Sequence, residues 1–156
     1  MDIQKITDSL DITDGWSSVP KYRGKYLTII GSGSFKRVFL INRQLVLKIG
    51  KRDHVESEYN IYQNTNSPSL KKHLARCYYL GYIDSSIFAY IIQERCVRIE
   101  KPSVYKFYCK QKRSVDRTIA SLNLTDITIA KDNVINVGIR DNLVKIFDFG
   151  LVHYED

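Results

Sequence analysis

Residues 26–49 read YLTIIGSGSFKRVFLINRQLVLKI, and this stretch decides the fold. Three apolar runs, 26–30, 38–41 and 45–49, are separated by a turn carrying Gly31 and Gly33 and by a short polar turn of Asn42, Arg43 and Gln44. Val, Ile, Phe and Tyr suit a pleated, half-buried surface, while Gly and Asn suit turns. The stretch therefore predicts three consecutive antiparallel strands. Because side chains alternate along a strand, Val46 and Lys48 fall on one face of the third.

Working outward, residues 54–64 place Val55, Tyr59 and Tyr62 at i, i+4 and i+7, which predicts a helix of about three turns. Asp53 is its expected N-cap, and Glu56 and Glu58 lie near its start, where carboxylates favour the helix dipole. Asn66, Ser67 and Pro68 stop it. Two further strands are expected over 77–83 and 87–94, with Asp84, Ser85 and Ser86 as the turn. Residues 103–124 predict helix, with a break near 112–114 and Val115, Ile119 and Leu122 along one face. A last hairpin is expected with strands 134–139 and 143–147, turning through Arg140, Asp141 and Asn142. Residues 1–25 contain breakers at Asp14 and Gly15 and from Ser17 to Pro20, and read as a leader packed on the first strand. The class is α+β, a five-stranded antiparallel sheet plus one helix, followed by a minimal part of helices and a β-hairpin. The expected divisions are 1–25, 26–96 and 97–156.

Composition narrows the function classes. At 156 residues the chain suits one core or two small lobes, not two full-sized domains. Lys and Arg total 24 against 17 Asp and Glu, a net charge of +7 that favours acidic partners such as phosphates, nucleic acid or an acidic protein surface. The densest basic run carries Lys106, Lys110, Lys112, Arg113 and Arg117, read either as a solvated helical face or as a nucleic-acid surface. Cys77, Cys96 and Cys109 are odd in number and widely spaced, which suggests neither a disulfide framework nor a zinc site and fits a reducing compartment. No run of 18 apolar residues and no signal-like N-terminus is seen, so no membrane association is expected, and the location is expected to be cytoplasmic.

The order of motifs resembles the protein-kinase-like superfamily over roughly residues 26–150. Gly31, Ser32, Gly33, Ser34, Phe35 and Val38 resemble its glycine-rich loop, whose backbone N–H groups cover nucleotide phosphates. Lys36 stands where the loop would carry its third glycine, which restricts the backbone and brings a cation toward the phosphates. Val46, Leu47 and Lys48 resemble the strand whose lysine pairs with those phosphates, and a helix carboxylate ten residues later would hold that lysine. Glu58 is the favoured partner, since Ile61 and Tyr62 would then line the same side, and Glu56 is the competitor. Residues 73–96 resemble the fourth and fifth strands and the hinge, with Gln93 guarding the pocket and Glu94 and Cys96 beside the adenine. His73 reads as a surface histidine at a helix end. The C-terminal run Asn136 to Gly150, ending in Asp148, Phe149 and Gly150, resembles the magnesium-binding segment, with Asn136 and Asp148 as ligands.

The resemblance implies ATP and Mg2+ as cofactors and transfer of the γ-phosphate to a hydroxyl, on a protein. It weakens at the catalytic loop, where no His-Arg-Asp is found. Asp132 is the expected base, with Lys48 and Glu58 as the other catalytic residues. Asp126 is a second candidate. If Asn133 were the metal ligand, the base position would fall on Thr128, which cannot serve. Six residues after Gly150 leave no room for an activation segment. The implied protein is a compact kinase of viral or bacteriophage type, acting in host cytoplasm if viral. The competing reading is a pseudokinase or inhibitory module that docks on a partner protein.

Overall fold

The structure is a computed structural model that describes residues 1–12, 18–33, 36–83, 87–97 and 99–149. The chain forms two compact units, one of Met1–Tyr59 with Cys77–Glu94, the other of Asn60–Arg76 with the residues from Arg95 onward.

In the first unit a short helix, α1 (Ile3–Asp8), starts at Asp2, whose carboxylate accepts the Lys5 N–H. Strands β1 (Leu10–Asp11), β2 (Lys21–Tyr22) and β3 (Lys25–Tyr26) form a small antiparallel sheet. The main sheet follows, from β4 (Thr28–Ser32), β5 (Lys36–Leu40), β6 (Leu45–Lys51), β7 (Cys77–Tyr82) and β8 (Phe88–Glu94). It is five-stranded and antiparallel throughout, in the order β4-β5-β6-β8-β7. The expected strands are therefore present, and Asn42 Oδ1 closes the β5–β6 turn by accepting from the Gln44 and Leu45 N–H groups. The turn expected at 84–86 lies outside the described residues.

Strand alternation sorts the side chains onto two faces. Phe39, Leu47 and Ile92, in register across β5, β6 and β8, share a core with Leu45, Ile49 and Ile6, against which Ile3, Leu10, Ile12 and Tyr22 pack. The N-terminal segment thus covers one face of the sheet with apolar surface. Each such buried aliphatic or aromatic side chain contributes about 1.5–3 kcal/mol. The other face carries Lys36, Val38 and Leu40 from β5, Val46 and Lys48 from β6, and Ile91 and Gln93 from β8.

Helix α2 (Arg52–Asn64) leaves β6 without a linker, two residues earlier than expected. The Arg52 N–H donates to Ile87 O at 2.8 Å, so the helix start is tied to the chain entering β8. Asp53 therefore lies inside the first turn rather than capping it, with its Oδ1 accepting the His54 N–H at 2.9 Å.

The second unit contains α3 (Pro68–Lys71), α4 (Lys101–Ser121) and two hairpins. The expected break in α4 at 112–114 does not occur. Gln, Lys and Arg are good helix formers, no Gly or Pro interrupts the segment, and Asp116 ties Lys112 and Tyr108 together at 2.5 Å each. Lys106, Lys110, Lys112, Arg113 and Arg117 are all exposed along this helix. Strand β9 (Thr128–Ala130) pairs with β10 (Asn133–Ile135), and β11 (Val137–Arg140) with β12 (Leu143–Ile146). The single strand expected over 134–139 is thus divided, because Asn136 sits at φ 62° and turns the chain between β10 and β11. Asp141 and Asn142, at φ 51° and 62°, make the tight turn expected there.

His73 is not a surface residue. It is 1% exposed, with Nδ1 donating to Val144 O at 2.9 Å and Nε2 accepting from the Ser114 hydroxyl at 2.7 Å. The helix end that was expected to leave it in water is closed over by α4 and β12.

Among the described residues no helix is long and apolar enough to cross a membrane.

Candidate functional site

Three neighbouring strands of the first unit aim polar side chains from one face at a single carboxylate on α2. Lys48 Nζ lies 2.7 Å from Glu58 Oε1, Lys36 Nζ lies 2.7 Å from Oε2, and Gln93 Nε2 donates to Oε1 at 3.0 Å. Their exposures are 2% for Lys48, 7% for Lys36, 1% for Gln93 and 0% for Glu58. At this depth an unpaired charge would cost several kcal/mol, so the groups must come as a set. The register explains the convergence: Val38 pairs with Lys48, Val46 with Gln93, and Lys36 with Gly50. Glu56 is on a different side of α2 and is only half-buried, lining an open groove with Lys51, Arg52, Asp53 and Ile87. Between the two candidate carboxylates, Glu58 alone holds Lys48.

Lys36 and Gln93 extend what the sequence suggested. Lys36, expected as a cation of the glycine loop, lies on β5 with its ammonium on Glu58. Counting back in twos from Val38 puts Lys36 on the face of Lys48, so the signal was present in strand periodicity. Cys77 lies beside the same network, with Gln93 Nε2 at 3.5 Å from its sulfur. Burial, reinforced by the nearby Glu58 carboxylate, pushes its thiol well above the usual range and keeps it protonated.

Gly31 and Ser32 end β4, and Gly33 N–H donates to Lys36 O at 2.9 Å, closing the turn into β5. Gly31 is half-buried opposite Val38, and Ser32 and Gly33 are exposed. Ser34 and Phe35 lie outside the described residues. Glu94 ends β8 and is buried, and Cys96, half-buried, lies two residues beyond in the second unit.

In the second unit, the Phe147 N–H donates to Asn136 O at 3.1 Å, so Asn136 and Asp148 occupy the same end of the β11–β12 hairpin. Asn136 Nδ2 donates to Asp126 O at 3.0 Å, which leaves Oδ1 as the amide's acceptor. Asp126 is itself left-handed, at φ 58°, and exposed. Asp132 is also exposed, but it lies in the turn between β9 and β10, with Ala130 and Asn133 paired beneath it. Asn136 is thus tied to the Asp126 carbonyl through its amide and to the end of β12 through its own carbonyl, while Asp132 stands at a hairpin tip.

This donor set fits magnesium. The ion keeps several waters and takes one or two protein oxygens together with phosphate oxygens, so one carboxylate and one amide oxygen suffice. Among the described residues no cluster of three His, Cys, Asp or Glu side chains forms a fuller metal cage.

No model of a protein family matches the chain, and no curated protein matches it. Solved structures do match. A kinase domain superposes with a TM-score of 0.56 at 14% identity, covering 84% of this chain and 52% of that one, so this chain spans about half its length. The aminoglycoside phosphotransferase APH(4)-Ia superposes with a TM-score of 0.56 at 12% identity, over 95% of this chain and 69% of that one. A thermostable mutant of the same enzyme, in its apo form, gives 0.50 at 12% identity, over 81% and 67%. At such identities the likeness is one of fold, and the fold of this chain is protein-kinase-like.

Proposed function

We propose that the protein is an ATP-dependent phosphotransferase that moves the γ-phosphate to a hydroxyl acceptor on a protein. The observation that carries this reading is the buried Lys48–Glu58 ion pair, on the sheet that also carries the Gly31–Gly33 turn. A sheet surface gains nothing in stability from burying a lysine that apolar residues could replace. Its retention is explained if the ammonium is needed for a phosphate.

In this reading Gly31, Ser32 and Gly33 supply backbone N–H groups to the phosphates, Val38 packs against the nucleoside, and Glu94 and Cys96 border the adenine. Ser34 and Phe35 are assigned to the same loop from the sequence. Asn136 and Asp148 hold magnesium, which when bound neutralises charge on the β- and γ-phosphate oxygens. The acceptor oxygen bonds to the γ-phosphorus, the bond to the β–γ bridging oxygen breaks, ADP leaves, and the hydroxyl proton passes to a carboxylate. We assign that carboxylate to Asp126 ahead of Asp132, because the Asp126 carbonyl is bonded to the side chain of Asn136 and Asp132 stands at a hairpin tip.

The test is incubation with γ-labelled ATP and magnesium, with and without candidate acceptor proteins, for wild type and Asp148→Ala. Label transfer by wild type and none by the variant is the expected result. Nucleotide binding without transfer in either protein would replace the enzyme with a docking module of the same fold.

A further inference from the structure

We infer that the outer face of α4 is a docking surface for the sugar–phosphate backbone of nucleic acid. Lys106, Lys110, Arg113 and Arg117 stand at i, i+4, i+7 and i+11 along this helix, and all four are exposed. At about 100° per residue they fall within an arc of about 60°, in a row about 17 Å long. The opposite face is fixed within the second unit. Val104, Val115 and Thr118 are buried there, and Thr118 Oγ1 donates to Leu70 O at 3.3 Å. Gln111 donates to Asn142 O at 2.8 Å and accepts the Val144 N–H at 3.1 Å, which ties the helix to the β11–β12 hairpin. The row of cations is therefore carried on a helix whose rotation is set by its other side.

Cations so placed work against the helix that carries them. Lys106 with Lys110 and Arg113 with Arg117 are four residues apart, and Lys110 with Arg113 three, so each neighbouring pair is of like charge and destabilising. A face serving solubility alone would intersperse its signs, as Lys112 and Asp116 do in the adjoining row, where the carboxylate also takes the Tyr108 hydroxyl. Asp116 is the single carboxylate in residues 101–121. Like charges in a straight row are relieved together by a linear polyanion of regular charge spacing, and a nucleic-acid strand carries one charge per nucleotide. Arg113 and Arg117 add the planar fork that matches a phosphate. Among the described residues α4 exposes no large apolar side chain that could enter a bilayer, which sets this helix apart from one that lies on a membrane.

The experiment is fluorescence anisotropy of labelled single-stranded RNA, duplex RNA and duplex DNA, titrated with the full chain over a series of salt concentrations. Four phosphate contacts should cost wild type about a hundredfold in duplex affinity between about 50 and 200 mM salt. The variant Lys106→Gln/Lys110→Gln/Arg113→Gln/Arg117→Gln should lose most of that salt dependence and bind at least about a hundredfold more weakly at ~100 mM salt. The control Lys25→Gln/Arg43→Gln/Lys112→Gln/Lys131→Gln removes as much exposed charge outside the row and should bind as wild type does, with folding of both followed by circular dichroism. Should the first variant fail to fold, Lys106→Gln/Lys110→Gln and Arg113→Gln/Arg117→Gln read the same contrast, each reducing the salt slope by about half. Binding to any of the three probes with this pattern supports the proposal and shows which backbone is preferred. No binding by wild type, equal losses in the row variant and the control, or tighter binding to polyglutamate or to phosphatidylserine vesicles than to all three probes would each overturn it. None of the four residues is assigned to nucleotide or magnesium, so either result leaves the phosphotransferase reading to its own test.

Discussion

The two units place their charged side chains by different physical means. On β5, β6 and β8 a period of two residues and a fixed register bring Lys36, Lys48 and Gln93 to Glu58, and every member is buried. In residues 123–142 the placement depends on single residues with left-handed backbone: Asn123, Asp126, Asn136, Asp141 and Asn142, at φ 50°, 58°, 62°, 51° and 62°. These are Asn and Asp, the non-glycine residues that adopt this conformation most readily. The carboxylates there, Asp126, Asp132 and Asp141, stay exposed. Charges of the first kind are bound up with folding, and removing one is felt as lost stability. Charges of the second kind contribute little to the fold and are open to a ligand.

Substitutions can break this contrast. The largest effect is expected from Asp126→Asn, which should lower phosphate transfer by about 10²- to 10⁴-fold, the usual worth of a general base, while leaving the urea unfolding midpoint nearly unchanged. Asp132→Asn should change transfer only a few-fold, on the order expected for an exposed turn residue. The reverse ranking would move the base to the β9–β10 tip. Next comes Glu58→Gln, which removes the carboxylate charge that Lys36 and Lys48 share and should cost about 3–5 kcal/mol in equilibrium unfolding. A loss below about 1 kcal/mol would mean that water reaches the network, and would erase the distinction between the two regions.

A smaller effect is expected at Gly138, which lies where the chain at Val97 bonds Ile139 in both directions. A Cβ there would sit 3.0 Å from Val97 O and 3.1 Å from Cys96 Cβ, so Gly138→Ala should destabilise by about 1–3 kcal/mol through overpacking. Unchanged thermal stability would show that this backbone can give way.

The gentlest test is pH. Burial lowers the His73 pKa, Lys72 and Lys145 lower it further, and the Val144 carbonyl opposes them. The neutral ring fits its partners, since Nδ1–H donates to Val144 O and Nε2 accepts from Ser114. Folded His73 therefore takes up a proton less readily than the unfolded chain does. Its contribution is complete above the usual histidine range and is lost as pH falls through the lowered folded value. Melting temperature should drop on acidification through that window more in wild type than in His73→Gln. Parallel curves would remove His73 as the cause.

How much of this was legible in the sequence follows the same division. The five strands, α2 and the Lys48–Glu58 spacing could be read because alternation and helical period are written in the residue types. Lys36 was legible by the same rule but was assigned to a loop, since its glycine neighbours suggested turn and not strand. The division at Asn136 was missed because one left-handed residue leaves no periodic signal. The hairpin 133–135 with 128–130 was missed with it. His73 was misplaced because its burial comes from α4 and β12, both distant in sequence.

One measurement tests the central claim most directly, which is that the buried Lys48 serves phosphates and the half-buried Asn136 and Asp148 serve magnesium. It is the affinity for ATP, by titration calorimetry, with and without magnesium, in wild type and in Asp148→Ala. The account predicts that magnesium tightens ATP binding to wild type by about tenfold or more and has little effect on the variant, which should still bind ATP alone through Lys48. Equal magnesium dependence in both proteins, or no ATP binding by wild type, would contradict it.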